Sequence, residues 1–307
     1  MIETGPPMPV AVRVHFAHAA VQAIADAVGA DLLHVKGPAI DPSLRPPVGG
    51  EAVPRRAAGG VPAEPRLSTD ADVLVRPGHA PRLLAALRRH GWAVRTRFET
   101  GSAFEHAATL WHEQLGYVDV HRWFPGIELP PDEGFAWLWQ HRQRSTIAHR
   151  ECPVPSVDAQ RLLLILHGAR SGGLDHPDVV LLWALAAPAE REHLRGLAAD
   201  LHAEVALAAA TGDLDAYADH PSHDLWQSFA EPSDAGRLGE WRARLKAAPT
   251  LAARVRVLAR ALLVNTDHLA MRLQRRPTRA EVLAEYLRRS RAGVHALAAW
   301  ARRTLRR

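Results

Sequence analysis

The chain has 307 residues, of which 47% are hydrophobic and 23% charged, so it can build a sizeable core and has none of the compositional bias of a disordered chain. Its single cysteine, Cys152, excludes a disulfide framework and a cysteine-based zinc cage. No apolar run approaches the roughly 20 residues that span a bilayer, and no signal-peptide pattern is visible, so we expect a soluble, cytoplasmic protein.

The charge is basic but uninformative about partners. Lysine and arginine number 38 against 33 acids, and the sequence pI is about 10.1. Only two of the 38 are lysines, Lys36 and Lys246, which is typical of a composition biased toward arginine. The basic pI is therefore a weak indication of nucleic-acid binding, whereas Lys36 stands out as a site where a compact ammonium is needed.

The first half of the chain predicts alternating helices and strands. Apolar spacing indicates a helix over 9–29, and residues 31–36 resemble a short buried strand that ends at Gly37. Six prolines and four glycines make 41–66 a long flexible loop. A strand over 71–76 and an amphipathic helix over 79–90 follow.

Three further strands are predicted before the pattern changes. They cover 92–98, 103–111 and 117–123, with a hairpin turn at 112–116 between the last two. From residue 156 onward only helical patterns occur, at about 156–170, 177–187, 189–210, 233–247, 250–273 and 279–305. We therefore predict an α/β domain over 1–150 and an all-helical domain over 151–307.

Two aspartates at the start of a strand form the most informative motif. Asp70 and Asp72 flank Ala71, and because strand side chains alternate, both carboxylates face one side, about 6–7 Å apart. Divalent cations relieve the repulsion between such carboxylates, and magnesium or manganese prefers oxygen ligands. An isolated Asp-x-Asp is nevertheless common, and aspartates at strand starts often serve as caps.

Asp119 lies within another apolar strand, where aspartate is disfavoured. If this strand lies beside that of Asp70 and Asp72, three carboxylates surround a metal pair, the layout of two-metal phosphoryl or nucleotidyl transfer. The structural alternative is an ion pair between Asp119 and Arg122 or Arg95. His121 shares the strand face of Asp119 and could touch substrate or the metal ligands; otherwise it is a residue at the rim.

The order of these segments resembles the uncharacterised nucleotidyltransferase family of the DNA polymerase β-like superfamily. The segments are His34-Val35-Lys36-Gly37-Pro38-Ala39-Ile40, Arg66 shortly before Asp70-Ala71-Asp72-Val73-Leu74-Val75, Gly91-Trp92, Val118-Asp119-Val120-His121 and Leu166-His167-Gly168-Ala169-Arg170. The resemblance covers most of residues 20–190. It implies an α+β fold, with a small mixed-sheet nucleotidyltransferase domain followed by an all-helical domain.

The resemblance also implies roles for individual residues. Asp70 and Asp72 would bind both metals, and Asp119 would complete the site for the metal that activates the acceptor hydroxyl. Gly37 would let the backbone approach a phosphate, and Lys36 and Arg66 would neutralise the triphosphate. Ser68 and His121 complete the expected nucleotide-binding set. The superfamily's Gly-Ser signature is absent, and the loop before Asp70 is longer than the family pattern implies.

These roles predict an enzyme that depends on Mg²⁺ or Mn²⁺. It would transfer a nucleoside monophosphate from an NTP to a hydroxyl-type acceptor (a small molecule, a protein or an RNA end) and release pyrophosphate. The alternative is a catalytically weak or inactive module that binds nucleotide or RNA, as a sensor or a toxin–antitoxin-type partner.

Other regions and motifs carry less weight. His167, in an apolar helix, is either a core histidine or a contact for nucleotide or acceptor. The 14 arginines of 254–307 are a solvated face or a track for a polyanion. The sequence lacks the motifs of zinc proteases, P-loop NTPases, Rossmann dinucleotide sites and serine hydrolases.

Overall fold

The computed structural model describes residues 8–46, 68–101, 104–230, 236–248, 250–273 and 275–304. The chain forms two compact units, Met1–Tyr217 and Ala218–Arg307. None of the described helices is both long and apolar enough to cross a membrane.

A five-stranded mixed sheet forms the centre of the first unit. Its strands are β1 (Leu32–His34), β2 (Asp70–Val75), β3 (Ala93–Thr96), β4 (Ala107–His112) and β5 (Gly116–His121). They are ordered β1-β2-β5-β4-β3 across the sheet. The β2–β5 pair is parallel, and the other three pairs are antiparallel.

One face of the sheet packs against two helices, α1 (Val10–Ala27) and α2 (Ala80–Arg89). Alternation along β2 turns Ala71, Val73 and Val75 into this core, where each is fully buried. In β5, Val118 and Val120 do the same. Asp70, Asp72 and Asp119 therefore lie on the opposite face, as the alternation in the sequence predicted.

The region 124–154, for which we predicted no elements, contains a helix and a hairpin. These are α4 (Pro131–Gln140), β6 (Gln143–Ile147) and β7 (Arg150–Val154), and a one-turn helix, α3 (Phe98–Gly101), follows β3. The β6–β7 turn places Ala148 and His149 at positive φ, +46° and +62°. Hairpin turns of this kind normally contain Asn-Gly or Asp-Gly, so their usual sequence signal is missing here.

Helices complete the first unit. They are α5 (Val157–Ala169), α6 (Pro177–Val179), α7 (Pro188–Asp200) and α8 (Glu204–Thr211), with a short π-helical turn at Val180–Ala184. The single helix predicted over 189–210 is wrong, because the chain turns at His202, which has φ of +49°. Neither glycine nor proline marks that break.

The second unit is helical in its described residues. It contains α9 (His223–Ala230), α10 (Gly236–Ala247), α11 (Leu251–Leu262), α12 (Thr266–Leu273) and α13 (Arg279–Thr304). The pattern over 250–273 is divided into two helices by an extended Leu263. A capping box begins α13: Glu281 Oε2 accepts from the backbone N–H and the hydroxyl of Thr278, and the backbone N–H of Glu281 donates to that hydroxyl.

The α+β fold class, with a mixed sheet and a helical C-terminal region, is confirmed. Helices α5–α8 belong to the same compact unit as the sheet, and the functional boundary near residue 150 stays a prediction. The predicted loop over 41–66 begins with a 3₁₀ turn at Pro42–Leu44. The rest of this loop, from residue 47 onward, lies outside the described residues.

Candidate active site

Two parallel strands bring the acidic residues together. In the β2–β5 pair, Asp72 is the direct register partner of Asp119, and Asp70 is opposite Tyr117. Adjacent strands are about 4.8 Å apart, so the two opposed carboxylates lie on neighbouring strands of the same sheet face. The adjacency that we expected from the sequence is therefore present.

Asp72 is the buried centre of the site, with only 2% of its surface exposed. Its Oδ1 accepts from Lys36 Nζ and from His121 Nε2, each at 2.9 Å. Burial by itself raises the pKa of Asp72, but Lys36 and His121 outweigh burial and hold the pKa well below its usual range. Asp72 is therefore a carboxylate at every physiological pH.

Asp119 has an unsatisfied oxygen. Its Oδ1 is buried and has no hydrogen-bond partner among the described residues. Burial and the nearby Asp72 raise its pKa. The alternative ion pair with Arg122 does not form: Arg122 donates to the Glu105 backbone oxygen and stacks over Trp123. No ion pair with Arg95 forms either within the described chain.

One group of potential metal ligands at this site includes a histidine. Asp72, Asp119 and His121 each offer a ligand atom, and these atoms lie within 4.8 Å of one another. Asp70 lies outside this trio, on the same face of β2 two residues before Asp72. Burial and the charges of Asp72 and Asp119 raise the pKa of Asp70 from 3.8 to about 6. His121 is 3% exposed, and its Nδ1 has no partner in the part of the chain described.

The Lys36–Gly37 turn follows β1 and lies against Ser68. Gly37 has φ of +61°, and a Cβ there would be 2.9 Å from the Ser68 Cβ. Only glycine fits this turn without strain. The Ser68 hydroxyl donates to the Asp70 backbone oxygen at 2.8 Å. Arg66, the remaining predicted phosphate ligand, lies outside the described residues.

Two neighbouring residues were missed by sequence reasoning. The ring of His106 is 5.0 Å from the ring of His121, and Arg170 Nη1 lies 3.5 Å from His106 Nε2. Arg170 belongs to the segment that carried the family resemblance, but nothing in the sequence placed it beside β4 and β5. His106 precedes the apolar part of its strand and gave no signal of its own.

His167 belongs to a second group of potential ligands, with His176 and Asp178. His176 already has a structural role there, because its Nδ1 accepts from the Asp178 backbone N–H at the start of α6. The role of His167 as a nucleotide or acceptor contact stays a prediction.

The donor chemistry of the first group fits a divalent cation. Carboxylate oxygens from two strands face one another, and the buried Asp119 Oδ1 has no proton donor of its own within the described residues. A buried carboxylate oxygen without a partner is costly unless a cation or a donor reaches it. Asp72, Asp119 and His121, with Asp70 beside them, are the residues that could hold such a cation.

Comparisons with known proteins identify the family of this chain. A model of the family described as "Uncharacterised nucleotidyltransferase" matches residues 61–215, slightly more than half of the chain, and the match spans Asp70, Asp72 and Asp119. A search of curated proteins finds no match.

Two solved structures are similar at a low level. One is the lincosamide antibiotic adenylyltransferase LnuA with lincomycin bound, at 18% identity and a TM-score of 0.34, over 55% of this chain and 95% of that one. The other is an antigenic nucleotidyltransferase-like protein from Paracoccidioides brasiliensis, at 15% identity and a TM-score of 0.35, over 67% of this chain and 96% of that one. The assignment rests on the family model rather than on these scores: the chain belongs to the uncharacterised nucleotidyltransferase family.

Proposed function

We propose that this nucleotidyltransferase uses Mg²⁺ or Mn²⁺ to move a nucleoside monophosphate from an NTP to a hydroxyl-type acceptor. Pyrophosphate is the second product. The observation that carries the proposal is the register pairing of Asp72 with Asp119, which leaves a buried carboxylate oxygen of Asp119 without a partner.

Asp70, Asp72 and Asp119 are the residues we assign to hold the metal, with His121 beside them. A bound divalent cation supplies the positive charge that lowers the pKa of an acceptor hydroxyl and offsets charge on the transferred phosphate. Lys36 and His121 keep Asp72 ionised and fix one of its oxygens in place. The site thus holds its acidic residues oriented before any ligand arrives.

The reaction itself is a substitution at the α-phosphorus. The acceptor oxygen forms a bond to that phosphorus, the bond to the bridging oxygen of the β-phosphate breaks, and pyrophosphate leaves with the electron pair. We assign the proton of the acceptor hydroxyl to Asp119, whose Oδ1 has no hydrogen-bond partner among the described residues.

The triphosphate is assigned to the side of the site formed by the Lys36–Gly37 turn. Lys36 brings a positive charge to this edge, and the glycine permits close approach of the backbone to a phosphate. Ser68 lies against the same turn, and Arg66 is two residues before Ser68 in the sequence. We therefore assign the phosphates to the β1 side of Asp72 and the acceptor to the β5 side.

The direct test is incubation with each of the four NTPs, labelled at the α-phosphate, with Mg²⁺ and a cell extract. We expect label to appear on an extract component together with Mg²⁺-dependent pyrophosphate release. Asp70→Asn should abolish both while circular dichroism shows the fold retained, and Asp200→Asn, at an exposed position at the end of α7, serves as control. Full activity in Asp70→Asn would refute the assignment. Binding of NTP or RNA with no turnover would instead identify a binding module.

A further inference from the structure

Arg170 lies in the first unit, immediately after α5, and it is a partly buried positive charge. No described carboxylate forms a salt bridge with it. Its Nη1 contacts His106 Nε2 at 3.5 Å, and its Nε is buried without a hydrogen-bond partner in the described chain. Its guanidinium lies 5.7 Å from the centre of the Phe104 ring. Most of the donors of this guanidinium are therefore unused.

Removing a guanidinium from water without an anionic partner costs free energy. Arg161, on α5 itself, shows the ordinary solution, because its Nη1 is 2.9 Å from Glu190 Oε1. Burial lowers the pKa of Arg170 to about 10, so that it remains charged at neutral pH.

The position of Arg170 in the site is set by the strand order. Lys36 follows β1 and reaches Asp72 on β2, while His121 on β5 reaches the same oxygen from the other side. The ring of His106, immediately before β4, lies 5.0 Å from the ring of His121 and is tilted from it by 43°, and Arg170 contacts His106. Along the strand order, Lys36 therefore contacts Asp72 from the β1 side, whereas Arg170 is linked to it through His106 and His121 on the β4–β5 side.

We propose that Arg170 binds an anionic group, a phosphate or a carboxylate, on the acceptor substrate. This inference rests on the proposed function, in which the Lys36 side takes the triphosphate and the Asp119 side takes the acceptor. A planar guanidinium fork suits two-oxygen anions of either kind. The acceptor class is then a hydroxyl compound that also carries a negative charge, and His106 orients the fork toward it.

The test uses inorganic phosphate and acetate as probes, titrated against the full chain with Mg²⁺-tripolyphosphate present to fill the nucleotide's phosphate subsite. Phosphate binding is followed by ³¹P line broadening, and acetate binding by ¹³C line broadening of the labelled ion. We compare wild type with Arg170→Met, Arg170→Lys and the matched control Arg161→Met, which lies on α5. Circular dichroism confirms that each variant is folded.

We expect at least one of the two anions to bind wild type and Arg161→Met equally. Binding should be about 10- to 100-fold weaker in Arg170→Met, the usual weight of hydrogen bonds to a charged group, and intermediate in Arg170→Lys. Whichever anion shows this loss identifies the group on the acceptor. Tripolyphosphate affinity should not change.

Three results would overturn the inference. In the first, neither anion binds wild type, and in the second, the anions that bind wild type bind Arg170→Met equally well. The third is a loss of tripolyphosphate binding in Arg170→Met, which would place Arg170 in the nucleotide subsite. Failure of the proposed function is seen separately, as absence of Mg²⁺-dependent pyrophosphate release by wild type. Pyrophosphate release with no anion loss in Arg170→Met would leave the enzyme assignment intact and remove only this inference.

Discussion

Lys36 donates to Asp72 across the edge of the sheet, with 2.9 Å between Nζ and Oδ1, and among the described residues this is the only salt bridge between the buried carboxylate and a lysine or arginine. The lysine side chain is 22% exposed and that of Asp72 is 3% exposed. Lys36 therefore has a structural role, the ion pair with Asp72, in addition to its proposed role in binding phosphate. In a chain with only two lysines, this dual duty explains why the compact ammonium is present here.

Replacing Lys36 by methionine should destabilise the protein at pH 7 by roughly 2 kcal/mol, less than for a fully buried pair because the lysine is partly exposed. The pKa of Asp72 is depressed in the folded state. The stabilisation this provides is present above the unfolded-state pKa of 3.8 and is lost as the pH falls. Urea unfolding at pH 7 and pH 3 should therefore show a smaller difference between the two proteins at the lower pH.

The double variant Lys36→Met/Asp72→Asn is the control for this interpretation. Because it removes the buried charge together with its partner, it should be more stable than Lys36→Met alone. If both variants are equally unstable, the loss in Lys36→Met comes from packing and not from the ion pair.

Asp70 has the opposite effect on stability. Its pKa in the folded state is raised to about 6 by burial and by the charges of Asp72 and Asp119. Its contribution to stability is therefore fully present below the unfolded-state pKa and is lost as the pH rises through about 6. In metal-free protein, Asp70→Asn should be about 1 kcal/mol more stable than wild type at pH 8, after allowance for solvent screening.

At pH 4 the same two proteins should unfold at nearly equal temperatures, since Asp70 is then largely protonated when folded. The measurement is thermal unfolding in a chelating buffer at both pH values. Equal stability at pH 8 would show that Asp70 does not experience the repulsion of its neighbours.

Much of this site was predictable because strand alternation and register are strict. Two aspartates separated by one residue must share a face, and an aspartate in an otherwise apolar strand must have a reason to be there. Parallel pairing of β2 with β5 then places Asp119 opposite Asp72. The hydrogen bond between His121 and Asp72 was harder to predict from the sequence, because the two residues are not register partners and meet diagonally across β2 and β5.

The missed elements show where sequence signals end. The turn of the β6–β7 hairpin is formed by Ala148 and His149, and neither residue type predicts a positive φ. By contrast, α4 did carry a signal, since Pro131 begins it and Asp132 and Glu133 occupy its first turn. Arg170 was placed beside His106 only by tertiary packing, which no local pattern encodes.

The orphaned oxygen of Asp119 leads to a third prediction. Asp119→Asn keeps the shape of the side chain but removes its charge and its capacity to accept a proton. We expect nucleotidyl transfer to fall by at least about 10²-fold, while the thermal stability of the metal-free protein stays equal or rises. Pyrophosphate release and thermal unfolding are the two measurements. Retained activity would show that the carboxylate is not needed for transfer.

A fourth prediction concerns the Lys36–Gly37 turn, for which Gly29 provides a matched control. Both glycines have nearly the same positive φ, +61° and +63°, but only Gly37 faces another atom, the Ser68 Cβ at 2.9 Å from where its own Cβ would stand. Gly29→Ala should cost about 1 kcal/mol, from backbone strain alone. Gly37→Ala adds a clash and should cost about twice as much, measured by urea unfolding. Equal costs would mean that Ser68 yields without penalty.

The last prediction concerns a buried chain of hydrogen bonds that begins at the surface and ends beside this turn. Arg150 pairs with Asp26 Oδ2 at 2.7 Å, and Asp26 Oδ1 accepts from Gln22 Nε2 at 2.6 Å. Gln22 Oε1 lies 2.9 Å from His34 Nε2, and His34 Nδ1 lies 2.7 Å from His18 Nδ1. Burial lowers the pKa of both histidines, that of His18 to about 4, so both rings are neutral.

The charge on Asp26 then determines which nitrogen carries the proton in each histidine of this hydrogen-bond chain. An ionised Asp26 must face the amide NH₂ of Gln22, so Gln22 Oε1 accepts from His34 Nε2–H. A neutral His34 has only a lone pair left on Nδ1, and His18 must therefore carry its proton on Nδ1. Nitrogen-15 NMR of labelled histidine at pH 7 should show His18 as the Nδ1–H tautomer and His34 as the Nε2–H tautomer. In Asp26→Leu the chain loses its anchor, and both tautomers of His18 should appear. A single Nε2–H form of His18 in wild type would mean that the chain runs in the reverse direction and that Asp26 does not orient it.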